Sequence, residues 1–161
     1  FIIKVNIIIE NLTNMQEKLI IRQIKIDSEE YKEELKLRDR VLRKPLKLNL
    51  FDENLESEKN DFHIGAFLSD LLVGVLILTV LNNSEIKMRQ VAVSESYKGK
   101  SIGTKLVIYA EDFAKRLGYK KIVLNSRKTA VKFYEKLGYV KIGEEFIEVT
   151  IPHYKMQKKI S

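Results

Sequence analysis

Hydrophobic and polar positions along this chain change period several times, and the changes outline a set of strands and helices. Residues 18–26 are rich in Ile and read as a strand. Asp27, with Glu30 three residues on, offers a capping-box-like start for a helix running to about Arg43, with Tyr31, Leu35 and Leu42 near one face and Pro45 blocking further propagation. Residues 49–61 are acidic and read as a connection. Three β-rich runs follow at 62–68, 72–80 and 85–93, parted by Ser69-Asp70 and Asn82-Asn83-Ser84, and predict an antiparallel meander. The period then lengthens: Ile102, Leu106, Ala110, Phe113 and Leu117 mark a helix that Gly118 is placed to end. A short buried strand at 121–124, a helix over about 128–137 ended by Gly138, and strands at 139–149 and 153–160 complete the order β-α-β-β-β-α-β-α-β-β. This order predicts an α/β fold, a mixed sheet covered by helices.

Composition narrows the chemistry. A chain of 161 residues is most simply one domain, large enough to remove roughly 70% of its unfolded surface from water. With no Cys and 2 His, it has no disulfide framework, thiolate metal site or cysteine nucleophile, and no metal is expected. No segment reaches the ~18 consecutive apolar residues of a membrane span, so a cytoplasmic protein without a membrane partner is expected. Residues 1–14 precede the first Met and are set apart as an N-terminal extension of unknown role, which leaves 15–161 as the single functional domain.

The net charge of +7 is unevenly placed: residues 97–161 carry 15 basic and 6 acidic groups, whereas residues 1–96 carry 14 and 16. A basic half favours an anionic partner. The strand ending at Val91-Ala92-Val93 runs into Lys98-Gly99-Lys100-Ser101-Ile102-Gly103 and a helix start, which has the physical requirements of a phosphate cradle: unpaired backbone N–H groups, a positive helix end, permissive glycines and mobile lysines, Lys105 included. Its spacing is neither that of a Walker loop nor that of a dinucleotide fingerprint.

One strand downstream lies Ala130-Val131-Lys132-Phe133-Tyr134-Glu135-Lys136-Leu137-Gly138-Tyr139, which matches the pattern A-x-x-F-Y-x-K-L-G-Y. Together with Lys98, Ser101 and Gly103 at the loop, it resembles the GNAT superfamily of acyl-CoA-dependent N-acetyltransferases. The stretch from Glu145 to Met156 looks like the ElaA-like branch. The resemblance runs from about Leu42 to Lys158 and is strongest after Lys87. Lys98 departs from the family's Arg or Gln, Ser101 from a glycine, and Arg127 from a frequent Asn.

The resemblance implies a GNAT-like central mixed, mostly antiparallel sheet flanked by helices, with acetyl-CoA as co-substrate and the primary amine of a small molecule or peptide as acceptor. It implies cofactor contacts at Val91, Ala92, Val93, Lys98, Gly99, Lys100, Ser101, Ile102, Gly103, Thr104, Asn125, Arg127, Ala130 and Tyr134. Tyr134 is the implied general acid toward the leaving thiolate. A base is needed because an alkylammonium of pKa near ~10 must lose a proton before attack. Glu148 and His153 are the candidates on strands bordering the acceptor cleft, with His63 a third that reads better as structural.

A CoA-binding domain with little or no catalysis is the alternative, since Ser101 stands where the pyrophosphate would pass and no base is assigned by motif. A nucleic-acid partner is not expected, because the basic residues are spread over two helices and a terminal strand without a recognition helix. Terminal strands able to pair between subunits leave a homodimer open.

Overall fold

The computed structural model describes residues 18–161, so the extension assigned to residues 1–14 lies outside the described residues. The elements are β1 (Leu19–Gln23), α1 (Glu29–Arg38), β2 (Phe62–Leu68), β3 (Leu71–Val80), β4 (Glu85–Val93), α2 (Ile102–Arg116), β5 (Lys121–Arg127), α3 (Val131–Lys136), β6 (Val140–Glu148) and β7 (Ile151–Lys159), the order expected from the sequence. They build one seven-stranded sheet in the order β1-β2-β3-β4-β5-β7-β6, antiparallel throughout except where β4 meets β5. Among the described residues no helix is long and apolar enough to cross a membrane.

The strand β3 is the centre of the packing. Its run from Val73 to Leu78 is buried on both faces, as the near-continuous apolar sequence requires of an interior strand. On one face Leu76, Leu78, Ile86, Met88, Ile122 and Leu124 pack with Leu106, Val107 and Ala110 of α2 and with Tyr134 of α3. On the other, Val75 and Ala92 pack with Tyr31, Leu35 and Leu37 of α1. Gly74 lets α2 approach: a Cβ there would lie 2.8 Å from Leu106 Cδ1.

The first helix departs from expectation at both ends. Ser28, not Asp27, is its cap, with Oγ accepting the Tyr31 N–H at 3.2 Å, because Asp27 is turned to φ 62° and leaves the helical path. The α-helix stops at Arg38 rather than near Arg43 and widens into a π-turn, Asp39–Arg43, followed by a 3-10 turn, Lys44–Leu46, that holds Pro45. Tertiary contacts decide this: the Asp39 carboxylate accepts the Leu50 N–H at 2.9 Å, and the Leu42 carbonyl accepts from Arg127 at 2.8 Å. The last two strands begin and end within a few residues of the expected positions, separated by the turn Val149-Thr150, both at positive φ.

The strand β4 carries the irregularity that shapes the molecule. Opposite β3 its register skips a residue between Arg89 and Ala92, and Gln90 adopts φ 55°. This is a bulge. On its other edge β4 pairs with β5 only from Glu85 to Met88, against Lys121 to Leu124. Beyond those residues the two parallel strands part, and their C-terminal halves form the sides of a wedge.

A buried charged cluster joins α1, the connection after it, β2 and β4. Arg38 bridges Glu34 at 3.3 Å and Glu58 at 2.8 Å, and Arg89 reaches Glu58 at 3.3 Å. His63 is 1% exposed, and both its nitrogens meet acceptors: Nδ1 lies 2.7 Å from Glu34 Oε1, Nε2 2.8 Å from the Glu58 carbonyl oxygen. Only the imidazolium donates from both sides. Burial and nearby Arg38 oppose that charge, but the hydrogen bond and charge of Glu34 and the Glu58 carbonyl outweigh them, so the His63 pKa is raised above its ordinary 6.5. This histidine is structural, as its sequence context suggested.

Two predictions follow from local structure. A raised folded-state pKa means that the imidazolium's contribution to stability is complete below the unfolded value and is lost as pH rises through the folded value. The urea midpoint should therefore fall as pH rises above the ordinary histidine value of about 6.5, and His63→Phe should lower stability overall while removing that slope; a flat wild-type profile would refute the assignment. Separately, Ser101 precedes α2 at φ 61° without a side-chain cap bond. Relief of the left-handed penalty less the entropy of glycine predicts that Ser101→Gly stabilises by about 0.5–1 kcal/mol, raising the calorimetric Tm by about 2 °C.

Candidate active site

The wedge between β4 and β5 opens into two adjoining cavities. The larger, about 510 Å³, is lined by Val91, Ala92 and Val93 on the free edge of β4, by Lys98, Gly99 and the run from Ser101 to Thr104, and by Phe133 of α3. The smaller, about 320 Å³, lies on the other side of the wedge, between Lys87–Gln90 of β4, Asn125 of β5 and His153 and Glu148 of the last hairpin. Five residues line both: Leu42, Val91, Arg127, Ala130 and Tyr134. A ligand reaching through the wedge from one cavity would meet a second ligand at Val91 and Tyr134.

The larger cavity has the chemistry of an anion cradle. Gly99 at φ 76° and Ser101 in the left-handed region fold the loop back, and the first intrahelical bond of α2 runs from the Lys105 N–H to the Ser101 carbonyl at 3.0 Å. The amides of Ile102, Gly103 and Thr104 therefore stand at the positive end of a fifteen-residue helix without helical partners. A Cβ added at Gly103 would sit 3.5 Å from Phe133, so a side chain there would narrow the floor between α2 and α3. Lys98 is held by Glu95 at 2.6 Å and keeps a place in the wall. Lys100 is set apart: its ammonium lies over the Tyr97 ring at 5.2 Å, outside the lining of either cavity.

Tyr134 stands at the junction. It is 7% exposed, edge-on to Phe133 and Tyr139 with centroid distances of 4.9 and 5.7 Å, and its hydroxyl has no hydrogen-bond partner among the described residues. Burial pushes its pKa well above the usual 10, so the ring is a neutral phenol.

His153 and Glu148, the two base candidates named from the sequence, both line the smaller cavity. His153 is 3% exposed; its Nδ1–H donates to the Ile151 carbonyl at 2.9 Å. Its other ring nitrogen, Nε2, lies 3.7 Å from Glu148 Oε2. Asn125, grouped with the cofactor contacts in the sequence reading, instead lines this second cavity and donates to Glu148 Oε1 at 3.2 Å. Arg127, in register with His153 across β5 and β7, turns its guanidinium to the Leu42 carbonyl. Desolvation and the neighbouring Arg43 lower the Arg127 pKa from 12.5.

The Leu42 carbonyl is not marked by the sequence, and nothing there singles out Gln90 as the residue at positive φ. Lys87 and Arg89 stand out in the sequence only as cations on β4; their convergence with Leu42 on one cavity is a product of sheet order.

Comparison with known proteins agrees with this geometry. Two Bacillus subtilis proteins, the second of them YyaT, are 31% and 29% identical over 97 and 111 residues, which are 60% and 69% of this chain. The chain spans 65% and 74% of their lengths. Escherichia coli ElaA shares the fold with a TM-score of 0.74 at 19% identity, over 88% of this chain and 99% of that one. An aminoglycoside 6'-N-acetyltransferase solved in complex with coenzyme A superimposes with a TM-score of 0.75 at 21% identity, over 88% and 97%. The model of the acetyltransferase (GNAT) domain matches residues 26–160, so with the bulged β4, the parted β5 and the glycine-bearing loop before α2, the chain belongs to the GNAT acetyltransferase family.

Proposed function

We propose that this protein transfers an acetyl group from acetyl-CoA to a primary amine of a small molecule or peptide, by direct attack of the amine on the thioester. The observation that carries the reading is the parting of β4 from β5 after Met88 and Leu124, which leaves two cavities meeting at Val91 and Tyr134. Acetyl-CoA would supply the electrophilic thioester carbonyl and the thiolate leaving group. The free edge of β4 at Val91–Val93 offers backbone groups to an extended pantetheine arm, and the amides of Gly99 to Thr104 offer donors to a pyrophosphate. A backbone N–H near Val91 stabilises negative charge developing on the carbonyl oxygen.

Proton traffic divides between the two cavities. His153, its tautomer held by the Ile151 carbonyl, presents Nε2 to accept the proton that the attacking ammonium must lose, with Glu148 beside it to stabilise the imidazolium. Tyr134 holds the departing sulfur with its phenol O–H and returns a proton to it. Arg127 and Ala130, on the wall shared by both cavities, border the point where the ligands meet.

Replacement Tyr134→Phe is expected to lower kcat by about 10²-fold while calorimetry shows acetyl-CoA still binding. His153→Gln should lower kcat/KM by a similar factor at neutral pH, and the deficit should shrink toward about pH 10 as more amine is already deprotonated. Wild type that binds acetyl-CoA yet releases no thiol with any amine in a broad panel would support the CoA-binding alternative. Wild type that binds no acyl-CoA would remove the proposal altogether.

A further inference from the structure

The wall of the smaller cavity carries four cations, Arg43, Lys87, Arg89 and Arg127, against two carboxylates, Glu53 and Glu148. Two of the cations are neutralised within the fold. Arg43 grips Glu53 with Nε at 2.6 Å and Nη2 at 3.0 Å, and Arg89 contacts Glu58 at 3.3 Å and Asp61 at 3.5 Å. Lys87 and Arg127 have no carboxylate within 4.0 Å among the described residues. Four other lysines near the wedge are paired: Lys121 with Glu85, Lys98 with Glu95, Lys128 with Glu145 and Lys158 with Glu111.

Leaving these two cations without a counter-ion has a physical cost. Arg127 is half-buried, bonds only the Leu42 carbonyl oxygen, and is disfavoured in its charged form by desolvation and by Arg43. Lys87 lies on the same sheet face as Arg89 and, on β5, as Asn125 and Arg127. An anion bound here would supply the missing charge, while a polycation would meet repulsion from both groups.

We propose that the acceptor is an amine that also carries an anionic group, a carboxylate or a phosphate, with Lys87 and Arg127 binding the anion while Glu148 and His153 receive the amine. The inference rests on the acetyl-transfer reading for the identity of the cavity, and it excludes polyamines and other polycationic amines as preferred acceptors. Lys87 lines only the smaller cavity, whereas Arg127 borders both, so Lys87 separates acceptor binding from cofactor binding.

The test is calorimetric binding to protein saturated with CoA, which fills the other anion cradle. The probes are an α-amino acid with its carboxamide, an amino sugar with its 6-phosphate, and a linear polyamine. The anionic member of at least one pair should bind about tenfold or more tightly than its neutral counterpart. Lys87→Met should remove that preference while acetyl-CoA binding to the free protein, measured on the same preparation, is retained; higher salt should shrink the wild-type preference. The pair that responds tells carboxylate from phosphate. Equal binding within both pairs, tighter binding of the polyamine, or a preference that survives Lys87→Met would overturn the proposal. Thiol release is measured separately: tight binding of an anionic amine without release upholds the anion site and counts against acetyl transfer.

Discussion

The bulge at Gln90 is the constraint on which the rest of the site depends. A regular β4 would continue pairing with β5 past Met88, and the sheet would close over the space that both cavities now occupy. The extra residue turns the strand, so that Val91 and Val93 pack toward α2 and α3 while Ala92 packs toward α1. Beyond the bulge the backbone groups on the β5 side of β4 have no strand partner. They form an edge inside the molecule, protected from another chain by the wedge walls but open to an extended ligand.

A bulge of this kind persists only if its surroundings hold it. On the cavity face, Arg89 immediately before Gln90 is tied to Glu58 and Asp61 and, through Glu58, to Arg38, Glu34 and His63. This cluster balances three carboxylates against two guanidiniums and an imidazolium, with Glu34 and Arg38 fully buried. A buried network is weak evidence for added stability, but removal of one partner leaves another charge uncompensated, at a cost of about 3–5 kcal/mol. Its plain structural effect is to lock the direction of β4 before the bulge relative to α1. The π-turn after α1 then delivers the Leu42 carbonyl to Arg127, which ties the far wall of the wedge to the same helix.

The order of elements was legible because each strand and helix has an amphipathic or continuous apolar pattern of ordinary length. The run 72–80 reads as a strand of a meander, and Ile102, Leu106 and Ala110 as one face of a helix, and both readings match the observed elements. The loop before α2 and Tyr134 were legible through glycine spacing and a family-like helix. The end of α1 was not, because propensity favours helix to Arg43 while Asp39 and Leu42 are claimed by distant partners. Asn125 was grouped with the cofactor side for a related reason: a position on β5 does not reveal which cavity its side chain enters until β7 and β6 are placed beside it. Gln90 at positive φ has no sequence signal at all.

The distribution of charge shows why net charge alone is a poor guide to partners. Much of the basic excess after residue 96 is spent in local pairs, with Glu95, Glu111 and Glu145 each engaging a lysine. The positive character of the smaller cavity comes mostly from the nearly neutral first half, through Arg43, Lys87 and Arg89, with Arg127 contributed by the second. Pairing then decides which of these groups can act on a ligand. Two guanidiniums are consumed in holding the connection after α1 and the start of the bulge, and the remaining lysine and guanidinium line the smaller cavity on the same face of the sheet. The same separation of β4 and β5 that opens the two cavities thus leaves Lys87 and Arg127, among the described residues of the smaller cavity's wall, as the cations without a carboxylate partner.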